Sequence, residues 1–186
     1  TGNWTVMPTV NEDGSITFKD AYSGYIGKRY PVDGILEFDM VSNLNMEDKD
    51  WMGYALRVQD PYTTLGTMYH VCFNNNSIEL QKWVDGQRTM LYGTIEGFDP
   101  VYGDLPNDYF TANERHSIRT GAIDVPSGVR LFLYVDGHKI FDVIDADNPI
   151  SQDGFFVVYP MTQAITLLEY SGIDTNVTTE TTAKAG

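Results

Sequence analysis

The sequence contains little cysteine and histidine: one Cys, at position 72, and three His among 186 residues. A lone cysteine excludes a disulfide within the chain, and its apolar surroundings, Tyr69 to Phe73, favour a buried thiol over a reactive nucleophile. No Cys or His spacing typical of a metal site occurs, and no Gly-x-Ser-x-Gly elbow or phosphate-binding loop is present. Zinc, serine-hydrolase and nucleotide chemistry are therefore not indicated.

Basic residues are scarce as well. Twelve Lys and Arg stand against 26 Asp and Glu, which gives a formal net charge of −14 at pH 7. Binding to nucleic acid or to an anionic membrane surface requires a basic face, so neither is expected as a partner. No run of 18 apolar residues occurs, so membrane insertion is not expected either.

The abundant residues indicate strands joined by turns. Aromatic side chains make up 13% of the chain, and 17 Gly and 8 Pro punctuate it together with Asn and Asp. The length suits one domain, expected over residues 1–173. Residues 174–186, rich in Thr and Ala, are expected to form a linker or a disordered tail, and the first residues, 1–4, resemble the edge of an excised module.

Thirteen segments have the apolar alternation or clustering of strands, too many for one open sheet. They are Trp4 to Met7, Ser15 to Phe18, Tyr22 to Ile26, Gly34 to Val41, Met52 to Gln59, Thr67 to Phe73, Ile78 to Val84, Thr89 to Tyr92, His116 to Ala122, Val129 to Val135, Lys139 to Val143, Gly154 to Val158 and Ala164 to Tyr170. Asp-Gly pairs at 85–86 and 136–137 predict tight hairpin turns. The predicted fold is all-β, a two-sheet antiparallel β-sandwich.

Two other segments are distinctive. Residues 111–115 are the best candidate for a short helical turn. Residues 96–110, EGFDPVYGDLPNDYF, combine two Pro and two Gly with aromatic and acidic side chains, which predicts a long ordered loop. Loops of this length in compact domains tend to be functional.

The strand Met52 to Gln59 has an unusual outward face. Period-2 alternation turns Met52, Tyr54, Leu56 and Val58 toward the core. The outward face is then made of Trp51, Gly53, Ala55, Arg57 and Gln59. Two small residues would form a flat floor between an indole plate and a fork of donors, a combination suited to hydroxyl-rich rings.

Three further outward side chains belong to other strands. Trp83 is outward on Ile78 to Val84, and Glu37 and Asp39 are outward on Gly34 to Val41. A large exposed aromatic side chain often marks a contact surface. If these strands are neighbours in one sheet, the side chains form a single groove with acceptors, donors and an aromatic plate.

The pair Glu37 and Asp39 also raises the question of catalysis. It is similar to the Glu-x-Asp-x-(x)-Glu strand of laminarinase-like family 16 glycoside hydrolases, except that Ser42 stands where the second Glu is needed. Two strand rises separate their Cα atoms by ~7 Å, near the range of inverting carboxyl pairs. An inverting pair must flank the bond from opposite sides, however, so two same-face carboxylates are better placed to accept hydrogen bonds from sugar hydroxyls.

No cofactor is assigned with certainty. Asp-rich turns leave a structural calcium ion open, because carboxylate and carbonyl oxygens are its preferred ligands. Asp20 and Asp99 are the candidates, although no EF-hand spacing is present.

Read in order, the features resemble the concanavalin A-like jelly roll superfamily, especially laminin-G-like domains and fructan-binding family 66 carbohydrate-binding modules; the 3-keto-disaccharide hydrolases have the same layout. The resemblance covers about residues 3–173 and implies a jelly roll whose concave sheet or rim binds glycan. The stretches that carry it are Asp13 to Ile16, Tyr22 to Ile26, Gly34 to Asp39, Gly53 to Arg57, Ser77 to Gly86, Gly128 to Gly137 and Gly154 to Phe156.

The leading hypothesis is a non-catalytic carbohydrate-binding module of an extracellular, multi-modular protein. Arg57, Glu37, Asp39 and Gln59 would bond to the hydroxyls of a polysaccharide such as a fructan, and Trp51 or Trp83 would stack on it. One alternative is a glycoside-acting enzyme that uses Glu37 and Asp39. Another is a laminin-G-like adhesion domain whose loop 96–110 contacts a protein.

Overall fold

The computed structural model describes residues 5–6, 8–19, 23–30, 34–42, 51–63, 66–74, 78–93, 113–160 and 164–171. These residues form the strands β1 (Thr5–Val6), β2 (Thr9–Val10), β3 (Ile16–Phe18), β4 (Ser23–Tyr30), β5 (Gly34–Ser42), β6 (Trp51–Val58), β7 (Met68–Asn74), β8 (Ile78–Val84), β9 (Gln87–Tyr92), β10 (Arg115–Val125), β11 (Gly128–Val135), β12 (His138–Asp145), β13 (Gly154–Tyr159) and β14 (Ile165–Ser171).

The strands form two sheets. The first sheet has the order β1-β4-β13-β6-β7-β8-β9, and the second has the order β12-β11-β10-β5-β14-β3-β2. Pairing is antiparallel except between β1 and β4. The predicted two-sheet sandwich is confirmed, and so are all thirteen predicted strands, with ends shifted by one to a few residues. The additional strand β2 is only two residues long, too short to show alternation.

Two hairpins have the turns that their Asp-Gly pairs predict. Asp85 and Gly86 have φ of 48° and 80° between β8 and β9, and Asp136 and Gly137 have φ of 50° and 82° between β11 and β12. Positive φ at both central residues defines the type I′ turn, whose twist matches that of paired strands. These turns set the register next to the loop, and a bulge farther along shifts it by one residue in each hairpin.

The core lies between the sheets. On β5 the predicted alternation is confirmed, because Leu36, Phe38 and Met40 are buried there. The ring of Phe38 lies 5.8 Å from Tyr54 and 5.9 Å from Phe156, both on the opposite sheet. Each fully buried side chain of this size contributes about 1.5–3 kcal/mol. The inward face of β5 therefore joins the sheets, and its outward face is free for other contacts.

A buried polar network also joins the sheets. Tyr69 of β7 donates a hydrogen bond of 2.7 Å to the Oδ2 of Asp145, at the end of β12. The Nζ of Lys82 on β8 lies 2.8 Å from the same oxygen. A buried carboxylate needs such partners, because an unpaired buried charge is strongly destabilising.

The lone cysteine, Cys72 on β7, is buried, as predicted. Burial raises the pKa of its thiol, which keeps the thiol protonated. In the part of the chain that the structure describes, no helix is long and apolar enough to cross a membrane. The loop 96–110, the tail 174–186, residues 1–4 and residues 111–112 of the predicted helical turn lie outside the described residues.

Candidate functional site

The six predicted binding residues lie on both sheets. Glu37 and Asp39 are on β5 of the second sheet, whereas Trp51, Arg57 and Trp83 are on β6 and β8 of the first. The expectation that they converge in one groove is wrong, because β5 pairs with β10 and β14 rather than with β6. The predicted residues therefore belong to separate surfaces.

The alternation of β6 breaks at Arg57, which has φ of 53°. Between the pairs Ala55–Val157 and Val58–Phe155, β6 contains one residue more than β13. This extra residue makes a β-bulge, which re-aims the side chains on either side of it. Both Arg57 and Val58 consequently point opposite to the directions that a strict period of two predicts.

Arg57 is buried at 5% exposure, so its predicted outward orientation is wrong. Its Nη1 donates to the Oδ1 of Asp124 at 2.8 Å and to the carbonyl oxygen of Ile150 at 2.7 Å. The Nε2 of Gln59 donates to the carbonyl oxygens of Arg57 and Asp153, at 2.9 and 3.2 Å. These contacts give Arg57 and Gln59 a structural role, because they tie β6 to the opposite sheet and to the segment before β13.

The outer face of the first sheet holds an aromatic cluster that we call the outer cluster. The ring of Trp51 lies 5.2 Å from His70 and 6.4 Å from Tyr159. His70 is 2% exposed, and this burial lowers its pKa to about 4. A Cβ atom on Gly53 would lie 3.1 Å from the Nε2 of His70. The predicted floor beside Gly53 is therefore occupied by the imidazole ring.

The apolar members of the outer cluster are Ala55, Val58, Met68, Val157 and Tyr159, with Trp51, Trp83 and Phe155 packed against them.

Trp83 packs at the edge of the outer cluster. Its Nε1 donates to the Oε1 of Gln81 at 3.0 Å, and the Nε2 of Gln81 donates to the Oε2 of Glu79 at 2.7 Å. The guanidinium of Arg88 lies 5.9 Å from the indole centroid. Glu79 and Gln81 are buried, so this polar set bonds within itself.

The outer face of the second sheet carries an open groove with a cavity volume of about 630 Å³. It crosses β11, β10, β5 and β14, and its lining includes both predicted carboxylates. The lining residues are Glu37, Phe38, Asp39, Ser117, Ile118, Arg119, Tyr134, Gly137 and Glu169. We call this feature the polar groove.

Register explains why these side chains meet. Glu37 on β5 is the partner of Arg119 on β10, which in turn is the partner of Tyr134 on β11. Asp39 is the partner of Ser117 in the next outward row. Directly opposed residues on one face of a sheet lie within side-chain contact. The pairing thus produces a row of anion, cation and aromatic ring across three strands.

Arg119 is held from two sides. Its Nε lies 3.0 Å from the Oε1 of Glu37, and its guanidinium carbon lies 5.7 and 6.0 Å from the ring centroids of Phe132 and Tyr134. Gly121 makes room for Phe132, because a Cβ atom there would lie 2.8 Å from the ring. Contact with an aromatic face orients a guanidinium without removing it from water. Arg119 is therefore both exposed and preorganised.

Arg115, also on β10, pairs with the other two carboxylates of the groove. It donates to the Oδ2 of Asp39, and its Nη2 lies 2.9 Å from the Oε1 of Glu169. The hydrogen bonds that Arg115 donates to the carboxylates of Glu169 and Asp39 raise its pKa. A carboxylate accepts about four hydrogen bonds, so Asp39 and Glu169 can each accept further bonds on the oxygen that does not contact Arg115.

The four residues Arg115, Ser117, Arg119 and Tyr134 were not predicted as site residues. A signal for two of them exists, because alternation around the buried Ile118 turns Ser117 and Arg119 outward. No local sequence pattern indicates that β10 lies beside β5.

The described residues contain no group of three or more His, Cys, Asp or Glu side chains that could hold a metal ion. The calcium candidates Asp20 and Asp99 lie outside the described residues, so a calcium site there stays a prediction.

No protein-family model and no curated protein matches this sequence. Solved structures do match. The carbohydrate binding module CBM66 from Bacillus subtilis is 14% identical with a TM-score of 0.51, over 86% of this chain and 82% of that chain. The fold is the two-sheet jelly-roll β-sandwich. Sheep galectin-11, in complex with glycerol, has the same jelly roll, with 9% identity and a TM-score of 0.50 over 81% and 95% of the two chains. A protein of Parabacteroides distasonis, named provisionally as a glycosyl hydrolase, matches at 11% identity and a TM-score of 0.51 over 88% and 82%.

Proposed function

We propose that this chain is a non-catalytic carbohydrate-binding module that holds a neutral oligosaccharide or polysaccharide in the polar groove. The observation that carries the proposal is the row of Glu37, Arg119 and Tyr134, with Asp39 and Ser117 beside it. It unites acceptors, donors and an aromatic ring on one open face. Among the proteins of similar fold, the CBM66 module is by name a carbohydrate binder, which supports the proposal at the level of the fold.

The groove suits a ligand that offers many hydroxyl groups and small apolar faces. Carboxylate oxygens of Glu37 and Asp39 accept hydrogen bonds from hydroxyls, the guanidinium of Arg119 donates to them, and the ring of Tyr134 packs against C–H surfaces. Ion pairing already fixes Arg119 and Glu37, so less side-chain entropy is lost when the sugar binds. Tyr134 and Arg119 thereby take the roles that the sequence suggested for a Trp and for Arg57.

Charge favours a neutral ligand. The chain carries a net charge of −14, and the groove presents three carboxylates, those of Glu37, Asp39 and Glu169. Repulsion of a polyanion would lower both its association rate and its affinity. A fructan, which is neutral, is the first polysaccharide to test. We further propose that the module belongs to an extracellular, multi-modular protein.

Catalysis by Glu37 and Asp39 is the alternative that the experiment must address. The two side chains lie on one face of one strand, and each is engaged by an arginine. A glycosidase needs its two carboxyl groups on opposite sides of the scissile bond. This placement disfavours hydrolysis and suits binding.

The test is affinity electrophoresis and calorimetry with fructans, β-glucans, xylans and arabinans. We expect one class to bind, and we expect Glu37→Gln and Arg119→Ala to weaken it by about tenfold or more, the cost of losing a charge-assisted hydrogen bond. Arg130→Ala is the matched control, because Arg130 is also exposed, paired with Asp142 and stacked over Phe132 but does not line the groove.

The outcomes separate the hypotheses. Equal binding by the wild type, Glu37→Gln and Arg119→Ala would overturn the groove as the site. Loss of binding in Trp83→Ala alone would assign the ligand to the outer cluster instead. Turnover of an oligosaccharide that disappears in Glu37→Gln would show an enzyme.

A further inference from the structure

A second cavity adjoins the polar groove. Its volume is about 410 Å³, and its lining is Asp13, Gly14, Ser15, Arg115, Leu168 and Glu169. Glu169 lines both cavities. The polar surface therefore continues past β5 to the turn that precedes β3.

The two cavities follow one another across neighbouring strands. In the strand order of the second sheet, their lining passes from Tyr134 on β11 to Arg119 on β10, Glu37 on β5, Glu169 on β14 and Ser15 before β3. Neighbouring strands lie roughly 4.8 Å apart, so four spacings give a length of about 19 Å. Such a length exceeds that of a single sugar ring.

Glu169 owes its position at the junction to an irregular backbone. Between the pairs Leu168–Asp39 and Ser171–Glu37, β14 contains one residue more than β5. Glu169 in this bulge has φ of 38° and a side chain that is 76% exposed. Positive φ in a non-glycine residue is strained, and bulges that re-aim a side chain are enriched beside functional sites.

Arg115 connects the two cavities. It bonds to Asp39 on the groove side and to Glu169 on the other side. The junction between the two cavities is therefore charged, with hydrogen-bond donors and acceptors on both sides. A chain that crosses it can hydrogen-bond continuously.

The far wall of the second cavity is rigid. The Oδ1 of Asp13 accepts hydrogen bonds from the backbone N–H of Ser15 at 3.0 Å and from its hydroxyl at 2.6 Å. The Nδ2 of Asn11 donates to the same hydroxyl at 2.9 Å. Nothing lies within 4 Å of a Cβ position on Gly14, so the backbone of the turn is open to a ligand.

We infer that the polar groove and the second cavity together bind an internal stretch of a linear neutral oligosaccharide, laid across the strands, rather than a single terminal sugar. Glu169 at the junction is the residue that makes the site selective for chain length. This inference rests on the proposed carbohydrate binding and specifies its ligand.

The test compares chain lengths. Fructose and linear fructo-oligosaccharides of increasing length are titrated by calorimetry, with the xylo- and cello-oligosaccharide series run in parallel. For the series that binds, we expect affinity to rise by about tenfold or more from the monosaccharide to the longer chains. Leu168→Trp, which fills the second cavity beside the junction, should abolish that rise and leave monosaccharide binding unchanged, because Leu168 does not line the polar groove. Glu169→Ala, which removes the carboxylate at the junction, should abolish the same rise.

Glu12→Ala is the control, because Glu12 is an exposed carboxylate near the same turn that lines neither cavity. Unfolding curves of each variant check that the fold is retained. Equal affinity for short and long chains, with Glu37→Gln still weakening binding, would overturn this inference and leave the proposed function standing. Absence of binding to these series and to all four polysaccharide classes, or binding that is unaffected by Glu37→Gln, would overturn both.

Discussion

The outer face of the first sheet buries His70 and Tyr159, whereas the outer face of the second sheet exposes Glu37 and Arg119. In the sequence the two faces are alike, because both alternate apolar residues with polar and aromatic ones. Alternation reports which side of a sheet a residue takes and says nothing about what lies beyond that side. A side chain on the outer face of a sheet is therefore not necessarily exposed to solvent.

Removing a tyrosine from each outer face should reveal the greatest difference in stability between the two faces. Tyr159→Ala should reduce the free energy of unfolding by about 3–5 kcal/mol, because it leaves a cavity beside Trp51 and His70. Tyr134→Ala, in the groove, should cost no more than about 1–2 kcal/mol. Urea unfolding measures both. Similar losses in the two variants would contradict the difference between the faces.

Arg57 and Arg119 provide the next comparison. Arg57→Met should cost about 2–3 kcal/mol, because the carbonyl oxygen of Ile150 and the carboxylate of Asp124 lose a donor. The partial exposure of Asp124 keeps this below the cost of breaking a fully buried pair. Arg119→Met should cost under about 1 kcal/mol, as exposed ion pairs do.

Ligand affinity should show the reverse order. In calorimetry with the oligosaccharide that binds, Arg119→Met should lose affinity and Arg57→Met should retain it at a temperature where both are folded. Loss of affinity in Arg57→Met alone would return this residue to the binding site.

Much of the fold is encoded locally. The pairs Asp85-Gly86 and Asp136-Gly137 specify type I′ turns through their own conformational preferences, and the alternation in β5 orients Leu36 and Phe38. These patterns depend only on residues close in sequence, so they can be recognised without knowledge of the tertiary structure.

The site was predictable only in part, for two physical reasons. First, Arg115 meets Asp39 across 76 residues of chain, and no local pattern specifies that β10 pairs with β5. Second, the bulges at Arg57 and Glu169 are backbone irregularities that break the alternation, and the first of them reverses the predicted faces of Arg57 and Val58. The predicted outward orientation is therefore correct for Glu37 and wrong for Arg57.

The buried His70 should make the stability of the fold depend on pH. The folded state holds the pKa of His70 at about 4 by burial, against an ordinary value of 6.5. As the pH falls below 6.5, the unfolded chain binds a proton that the folded chain refuses, so stability falls until the pH reaches about 4. Between pH 7.5 and pH 5 this loss amounts to about 2 kcal/mol.

Urea unfolding at several pH values in this range checks the prediction. His70→Gln should flatten the profile, whereas His138→Gln, at an exposed position on β12, should preserve it. An unchanged slope in His70→Gln would mean that the imidazole of the outer cluster is not held neutral by burial.

The smallest effect is expected at the ion pair between Arg130 and Asp142, on the same outer face as the polar groove. The Nη2 of Arg130 lies 2.6 Å from the Oδ2 of Asp142, and this hydrogen bond lowers the pKa of the carboxyl group. Both side chains are in contact with water, which screens the pair and allows salt to weaken it. Arg130→Ala should therefore lower the urea midpoint at pH 7 only slightly, and added salt should reduce the remaining difference from wild type. A clear loss of stability would show that this face is as firmly packed as the outer cluster, since only desolvated contacts make such a substitution costly.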